Sequence, residues 1–285
     1  MVMMTAEGSP LPQLSRHNRM MVHVIRLVIA LCLLLPGLVV AEESLQSFRV
    51  VEDSESRTVR YLPDEPSNIA VILAHGFSRS PKRMAGHATA LAERGISTWL
   101  PDLYSLMGGK KSRQKNVDFL LGLLRELAST HPNVILAGHS AGGALSFMAA
   151  VEAQEEGLPV VSLILLDAVP WDETIEAAPR LQPLPLLSMT SESSSMNAWL
   201  KVEKLHEVIG FDFTRLHLVG ASHVDPENPP GTFSRAFTTE AGRELYSQLL
   251  IRYVTHDDFD GFVAEQIRIG TVENGKEGWP ASFRE

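Results

Sequence analysis

The feature that most constrains the fold is a short stretch, residues 134–143, with the sequence VILAGHSAGG. Its four leading apolar residues follow the turn signal Pro132-Asn133, which predicts a short buried strand. Gly-His-Ser-Ala-Gly comes next, and a run of helix-forming residues at 144–153 follows it. The sequence therefore predicts a strand that turns sharply into a helix, with Ser140 at the turn.

A Gly-x-Ser-x-Gly pattern between a strand and a helix is typical of a nucleophile elbow. Such a turn strains the backbone of its serine and brings the residues two before and two after it close together. Only small residues fit at those positions, which are Gly138 and Gly142 here. The turn would expose the Ser140 hydroxyl and place the Ala141 N–H at a helix start, where it can stabilise an oxyanion. The pattern also arises by chance in loops, so a base, an acid and a second oxyanion donor must come from elsewhere.

The composition excludes several classes of function. The formal net charge of the 285-residue chain is −9, whereas a nucleic-acid partner needs a basic face. The single cysteine, Cys32, allows neither a disulfide framework nor a cysteine-based metal site. The sequence implies no cofactor and no metal.

Residues 1–41 have the features of a targeting signal. Basic residues precede an apolar run at 27–35, a Pro-Gly pair ends it, and small residues precede Glu42. The run is short for a membrane span, which needs about 20 residues. Because the charged stretch ahead of the run is long, translation could begin at Met20 or Met21. We expect export to the periplasm or the extracellular space, with no stable membrane insertion after cleavage; an uncleaved anchor is the alternative.

Strand and helix patterns alternate along the rest of the chain. Two leading strands precede apolar runs of the buried-strand type, several of which are separated by amphipathic helix patterns. The predicted strands are 45–52, 57–62, 69–74, 96–100, 134–137, 160–166, 185–190 and 214–219, and the predicted helices are 81–94, 117–127, 144–153, 197–204 and 240–254. The pattern predicts an α/β fold with a mostly parallel central sheet and helices on both faces.

Functional residues of such sheets lie at the carboxyl ends of the strands, where Phe77, Ser140, Asp167 and His223 fall. The elbow, the His-Gly-Phe sequence after the third strand and a late Gly-x-x-His resemble the α/β-hydrolase superfamily in pattern and order, across residues 45–254. The predicted domain has no segment long enough for a substantial lid, and in this it resembles lidless serine esterases such as the chlorophyllases and the cutinase-like polyester hydrolases. The resemblance implies an α/β-hydrolase domain at 42–255, followed by an acidic C-terminal tail at 256–285 that we expect to be largely irregular.

The resemblance also implies the two oxyanion donors. In this family they are the N–H of the residue after the nucleophile and an N–H from the loop after the third strand. By position these are the N–H groups of Ala141 and Phe77. A plain strand-end turn is the other interpretation of the His-Gly-Phe sequence.

His223 is the candidate base. Of the ten histidines, it is the one between the last strand and the last helix, where the family order of serine, acid and histidine requires the base. A neutral imidazole can accept the Ser140 proton and later return it. His139 lies inside the elbow with its side chain expected to point away from the hydroxyl, and His206 is expected at the surface.

The acid has two candidates. Asp167 ends the strand predicted at 160–166, which is the position of an aspartate in the chlorophyllase-like branch; a strand-end cap is the other interpretation. Many α/β-hydrolases carry the acid after the seventh strand, where this sequence has Ser194, which cannot orient an imidazolium. Glu192 stands two residues earlier. We favour Asp167 and keep Glu192 as the alternative acid.

The interval from Trp171 to Gln182 is too short for a substantial lid, which predicts an open site suited to small or extended esters. Trp171 either walls an acyl pocket or covers the core. We expect Asp225 to cap the turn after His223 rather than to join the site.

The resulting hypothesis is a secreted serine hydrolase that cleaves small-molecule or polymeric carboxylic esters through an acyl-enzyme. Its triad would be Ser140, His223 and Asp167. The same residues serve thioesterases, acyltransferases and peptidases, and a non-catalytic protein of this fold that binds a ligand or partner in its cleft is the alternative.

Overall fold

The structure is a computed structural model that describes residues 47–105 and 109–274. The predicted signal segment and Cys32 lie outside these residues. One mixed sheet runs through the described part. Its strands are β1 (Phe48–Asp53), β2 (Thr58–Pro63), β3 (Ile69–Ala74), β4 (Ser97–Pro101), β5 (Asn133–His139), β6 (Val160–Leu166), β7 (Leu186–Thr190), β8 (Thr214–Leu218) and β9 (Val272–Asn274).

The helices lie mainly in the connections between these strands. They are α1 (Ala85–Ala92), α2 (Gly109–Leu127), α3 (Ala141–Glu155), α4 (Asp172–Ala177), α5 (Val202–His206), α6 (Glu240–Thr255) and α7 (Phe259–Arg268). Short 3₁₀ turns occupy Pro81–Arg83, Ala178–Arg180 and Ser234–Ala236.

The strand order is β1-β2-β4-β3-β5-β6-β7-β8-β9. From β4 to β8 all neighbours are parallel, and the pairs β1–β2, β2–β4 and β8–β9 are antiparallel. Strand β5 lies between β3 and β6, and its last residues pair with theirs, Gly138 with Ala74 and His139 with Leu166. The end of β5 therefore opens between the loops that follow β3 and β6.

Helices cover both faces of the sheet, which confirms the predicted fold class. On one face α2 and α3 contribute Leu120, Leu124 and Phe147 to the core. On the other face α1 and α6 contribute Leu91 and Tyr246. Helix α3 is buried over most of its length, which explains why its sequence is apolar all round rather than amphipathic. That burial holds the first turn of α3 against the end of β5.

Helix α2 begins earlier than predicted. The sequence predicts a helix at 117–127, whereas the chain is helical from Gly109. Its first turn carries lysines and no acidic residue. Positive charge at this end is unfavourable to the helix dipole, so the sequence lacks the usual signal of a helix start. Tertiary contacts compensate, since Asn116 is fully buried and its side chain hydrogen-bonds the backbone of Tyr104 at 2.7 and 3.2 Å.

The expectation of an irregular segment after His256 is wrong for the described residues. Helix α7 buries Phe259 and Val263 against the same core face as α6, and β9 pairs antiparallel with β8. The sheet therefore continues past residue 255. Strand β9 is only three residues long, and it exists because the edge of β8 offers backbone partners, which no local pattern reveals.

The segment after β7 also differs from prediction. The helix that we expect at 197–204 is shorter, Val202–His206, and three left-handed residues precede it, with φ of 50° at Ala198, 58° at Trp199 and 59° at Leu200. Between Trp171 and Gln182 the chain forms only α4 and a 3₁₀ turn. None of the helices within residues 47–105 and 109–274 has the length and apolar character needed to cross a bilayer.

Candidate active site

Ser140 stands alone between β5, which ends at His139, and α3, which begins at Ala141. Its φ is 54° and its ψ is −122°. A non-glycine residue rarely adopts a positive φ, and holding one there costs on the order of 1–3 kcal/mol, supplied by the surrounding structure. The buried β5 and α3 on either side provide that support and direct the serine out of the sheet edge.

The elbow glycines are required by close backbone contacts. A Cβ on Gly138 would lie 2.4 Å from the carbonyl carbon and oxygen of Gly142, and a Cβ on Gly142 would lie 2.4 Å from the carbonyl oxygen of His75. Both obstacles are backbone atoms, which cannot move without displacing β3 or α3. The structure therefore has, at both glycines, the close backbone contacts that the sequence predicts.

Three predicted residues meet at this point. His223 Nε2 lies 2.9 Å from Ser140 Oγ, and His223 Nδ1 lies 2.7 Å from Asp167 Oδ2. Asp167 is fully buried, whereas His223 and Ser140 are 6% and 7% exposed. A carboxylate at Nδ1 selects the tautomer with its proton on that nitrogen. The lone pair of Nε2 then faces the hydroxyl, an arrangement that can take up the serine proton.

Asp167 is held by the loop that follows β7. The Ser191 N–H donates to Oδ1 at 3.1 Å, the Ser191 hydroxyl donates to Oδ2, and Asn197 Nδ2 donates to Oδ2 at 3.3 Å. Burial raises the pKa of the Asp167 carboxyl, but the hydrogen bonds from His223 and Ser191 outweigh it and hold that pKa below its ordinary value. The carboxyl therefore stays ionised despite complete burial.

Glu192 does not reach the histidine that Asp167 contacts. Its Oε1 accepts a hydrogen bond from the Gly220 N–H at 2.8 Å and lies 3.7 Å from His217 Nε2, and its side chain is 54% exposed. The carboxylate thus lies against the end of β8. The structure brings Asp167 to His223 and leaves the alternative acid on the surface.

A second buried histidine supports the first. His139 Nε2 donates to the backbone carbonyl of His223 at 2.7 Å, and the two ring centroids are 5.0 Å apart. Burial, together with the nearby His223, lowers the pKa of His139 to about 3. His139 therefore remains neutral at ordinary pH and adds no positive charge beside the imidazole of His223.

The sequence alone did not identify the supporting roles of Ser191, Asn197 and His139. Ser191 and Asn197 flank Ser194, the position at which the resemblance leads one to look for an acid after the seventh strand, and that placement is the one signal that could have found them. His206, which we expect at the surface, is instead 2% exposed and hydrogen-bonds Ser188 Oγ at 2.8 Å. Its partner Ser188 lies on β7, 18 residues away, and no local pattern reveals that contact.

Phe77 lies in a tight turn beside the serine. The Arg79 N–H donates to the Gly76 carbonyl at 3.2 Å, and Ser78 has a φ of 53°. A Cβ on Gly76 would lie 3.2 Å from Ser140 Cβ, so the turn adjoins the nucleophile candidate. The hydrogen bond that closes the turn uses the Arg79 N–H and leaves the Phe77 N–H outside it.

Ala141 is the first residue of α3. The first N–H groups of a helix have no partner within the helix and carry its positive end. With Phe77 on the turn after β3, the structure places both predicted donor residues next to Ser140.

The two open side-chain assignments have structural answers. Asp225 is fully buried and accepts hydrogen bonds from the N–H groups of Ser222 at 2.7 Å and Thr239 at 2.8 Å, so it fastens the ends of the loop after His223. Trp171 packs against the core beside α4, with the Arg113 guanidinium 4.9 Å from its ring centroid. In the part of the chain that the structure describes, no three His, Cys, Asp or Glu side chains are grouped so that they could hold a metal ion.

The fold and the strand-end site define an α/β-hydrolase. Residues 71–276 match the model of the alpha/beta hydrolase family, and the chain belongs to that family. The predicted superfamily is thereby confirmed, and the match extends beyond the boundary expected at 255.

The chain is similar to solved structures. The dienelactone hydrolase from Anabaena variabilis superposes with a TM-score of 0.57 at 20% sequence identity, over 74% of this chain and 98% of that one. A structure of the metagenome-derived lipolytic enzymes LipS and LipT gives a TM-score of 0.48 at 16% identity, over 57% of this chain and 87% of that one. No curated protein sequence matches the chain.

Proposed function

We propose that this protein is an exported serine hydrolase that cleaves carboxylic esters. The observation that carries the proposal is the continuous hydrogen-bonded path from Ser140 Oγ through His223 to Asp167, with separations of 2.9 and 2.7 Å. A strained serine at the start of a buried helix, hydrogen-bonded to an imidazole nitrogen, is the arrangement that acyl transfer needs.

Acylation begins when Ser140 Oγ attacks the ester carbonyl carbon while His223 Nε2 takes the hydroxyl proton. The carbonyl oxygen becomes an oxyanion, which accepts hydrogen bonds from the Phe77 and Ala141 N–H groups. Asp167 holds the imidazolium in place and stabilises its charge. His223 then gives its proton to the departing alcohol, which leaves an acyl group on Ser140.

Deacylation repeats the sequence with water as the nucleophile. His223 Nε2 takes a proton from the water as it attacks the acyl carbon, and the oxyanion forms again in the same position. When it collapses, His223 returns the proton to Ser140 Oγ and the carboxylic acid is released. Neutral His139 lets this imidazolium form without a second positive charge 5.0 Å away.

The surroundings of the site favour apolar esters. Four aromatic side chains are exposed within the described residues: Phe77 at 44%, Trp199 at 72%, Phe233 at 66% and Phe237 at 47%. All four lie on loops that follow the carboxyl ends of β3, β7 and β8. Exposed apolar surface on loops at the edge of the sheet that carries a site is typical of ligand-binding grooves. We therefore expect apolar acyl or alcohol groups, from small molecules or from polymers, to be preferred over charged ones.

Export is the other part of the proposal. The basic and apolar pattern at 1–41 supports a cleaved signal with the first mature residue at Glu42. Mass spectrometry of the protein purified from the extracytoplasmic fraction should find that N-terminus. A protein that keeps residues 27–35 and stays with the membrane would show an anchor instead.

Removal of the nucleophile tests the activity. Ser140→Ala should lower kcat roughly 10⁴- to 10⁶-fold against p-nitrophenyl butyrate, because the loss of a triad nucleophile leaves only binding and the oxyanion donors. The melting temperature should change little, since a methyl group takes the place of a hydroxymethyl group. Retention of more than about a tenth of the wild-type activity would exclude the mechanism.

Labelling separates the proposed enzyme from a binding protein of the same fold. A fluorophosphonate should add to Ser140 of the wild type and not to the Ser140→Ala variant, with the site identified by peptide mass spectrometry. Esters, thioesters and anilides of matched acyl length should then be compared by kcat/KM. Higher values for thioesters or anilides would assign the same residues to a different acyl-transfer reaction.

A further inference from the structure

A buried ion pair joins the turn after β3 to the loop after His223. Arg79 Nε donates to Glu227 Oε1 at 2.5 Å, and the Glu227 side chain is completely buried while that of Arg79 is 24% exposed. The two residues are 148 positions apart in sequence. An ion pair at such burial is costly to assemble and contributes little net stability, so its presence calls for a role other than stabilisation.

Glu227 has partners on both sides of the site. Its other oxygen, Oε2, accepts hydrogen bonds from the Gly231 N–H at 3.1 Å and from the Ser234 hydroxyl at 2.6 Å. Burial raises the pKa of the Glu227 carboxyl, but the hydrogen bonds from Ser234 and Arg79 hold it below its ordinary value. The carboxylate is therefore charged, and both of its oxygens accept hydrogen bonds, so it is a rigid anchor for the guanidinium.

Arg79 is also the residue that closes the turn around Phe77. Its N–H donates to the Gly76 carbonyl at 3.2 Å, and the same carbonyl accepts from His75 Nδ1 at 2.8 Å. His75 is in turn fixed by the Leu103 N–H, which donates to Nε2 at 3.2 Å. One end of the turn is thus held by His75 and the other by the Arg79 side chain on Glu227.

We infer that the Arg79–Glu227 pair positions the Phe77 N–H as an oxyanion donor. The inference rests on the proposed function, because it assigns to Arg79 and Glu227 a part in stabilising the oxyanion of that reaction. Neither residue touches the substrate. They act by fixing a turn that exposes one backbone N–H and contains a left-handed residue, Ser78, and that would otherwise have several conformations available to it.

A positioning role predicts a specific kinetic signature. A donor that is displaced by even 1 Å loses most of its interaction with the oxyanion, while the ground-state carbonyl binds nearly as before. Loss of the pair should therefore lower kcat with little change in KM. It should also weaken a trifluoromethyl ketone, whose adduct with Ser140 carries the oxyanion, by a factor similar to the fall in kcat/KM.

Arg79→Met is the test variant, and Arg60→Met is its matched control. The Arg60 side chain is also 24% exposed and also pairs with an acidic residue, Asp53, but it lies on β2, which β4 and β3 separate from β5. We expect Arg79→Met to lower kcat for p-nitrophenyl butyrate roughly 10- to 100-fold, with KM within about twofold. Arg60→Met should leave both constants within about twofold of the wild type.

Two further variants keep the inference testable if Arg79→Met does not fold. Arg79→Lys retains a charge that can reach Glu227 and should recover part of kcat. Glu227→Gln retains acceptors for Gly231 and Ser234 and should lower kcat in the same direction as Arg79→Met. A kcat of folded Arg79→Met equal to that of Arg60→Met, or a rise in KM alone, would overturn the inference.

The outcome can be separated from a failure of the proposed function. A wild type that neither hydrolyses esters nor reacts with a fluorophosphonate would overturn the proposed function. If the wild type hydrolyses esters and the Arg79 variants match the control, only the inference fails. The wild type could also react with the fluorophosphonate without turning over esters. The labelling rate of Arg79→Met is then compared with that of Arg60→Met in place of kcat, because the phosphoryl oxygen occupies the oxyanion position.

Discussion

The ends of β6 and β7 are neighbours in the sheet, and each is followed closely by an acidic residue. Asp167 follows β6, is completely buried and contacts His223. Glu192 is the second residue after β7, is half exposed and contacts the Gly220 N–H. The loop after β7 contributes Ser191 and Asn197 to the first carboxylate instead. Position at the end of a strand is therefore not enough to make an acidic residue part of the site. Its burial and its hydrogen-bond partners decide whether it belongs to the site.

The comparison has an energetic side. A buried carboxylate needs hydrogen bonds to remain charged, and Asp167 has them from the loops that follow β7 and β8. Exposed Glu192 needs none, and water screens its interactions. Ser191 can donate to the carboxylate because a hydroxyl is both small and neutral, whereas an acid at that point would repel Asp167.

Within this comparison of the two strand ends, the largest expected effect comes from removing the buried charge. Asp167→Asn keeps the shape of the side chain but no longer stabilises the imidazolium, and it allows the wrong tautomer of His223. We expect kcat to fall by roughly 10⁴-fold, the cost of the same change in the best-known triad. Steady-state kinetics on p-nitrophenyl butyrate would measure it, once circular dichroism has shown that the variant is folded.

Glu192→Gln is the matched control for that variant. Its side chain is exposed and contacts neither Asp167 nor His223, so kcat should stay within about threefold of the wild type. The reverse pattern, with an inactive Glu192→Gln and an active Asp167→Asn, would move the acid to the end of β7.

A smaller effect is expected from the loop that supports Asp167. Ser191→Ala removes the hydroxyl that donates to Oδ2 and leaves the backbone N–H that donates to Oδ1. The carboxylate would lose one of the hydrogen bonds that fix its orientation. We therefore expect kcat to fall roughly tenfold with KM unchanged, as for the loss of an outer hydrogen bond that orients a catalytic group. An unchanged kcat would mean that His223, Asn197 and the backbone N–H of residue 191 suffice to hold Asp167.

The smallest effect concerns stability in acid. Because the Asp167 pKa is lower in the folded protein than its ordinary value of 3.8, the unfolded chain binds this proton first as the pH falls. The stabilisation is complete well above pH 3.8 and is lost below it. Asp167→Asn should therefore lose stability less steeply than the wild type between pH 4 and 2.5, by at most about 1.4 kcal/mol per pH unit.

Urea unfolding at several pH values would measure this difference. Glu192→Gln provides the comparison with the other strand end, and its slope should match that of the wild type. Equal slopes for wild type and Asp167→Asn would indicate that the buried carboxyl gains nothing from its partners in the folded state.

Much of the fold could be predicted because its causes are local. The buried strands are continuous apolar runs, and the elbow follows from glycine sterics within five residues, 138–142. These features led directly to Ser140 at the carboxyl end of a central strand. The start of α2 and the existence of α7 and β9 were missed, because their stability comes from packing and pairing with distant segments rather than from their own residues.

The sequence by itself determined the strained turn at the serine, the need for its glycine neighbours, and the order along the chain of the strands that end in functional residues. Each of these depends on backbone sterics or on the periodicity of apolar residues. Only the tertiary structure decided which acid meets His223, 56 residues from Asp167, and that Ser191, Asn197 and His139 surround the pair. It also decided that Arg79 meets a buried carboxylate 148 residues away. Contacts at such separations depend on strand order, register and loop conformation together, and no single stretch of residues contains that information.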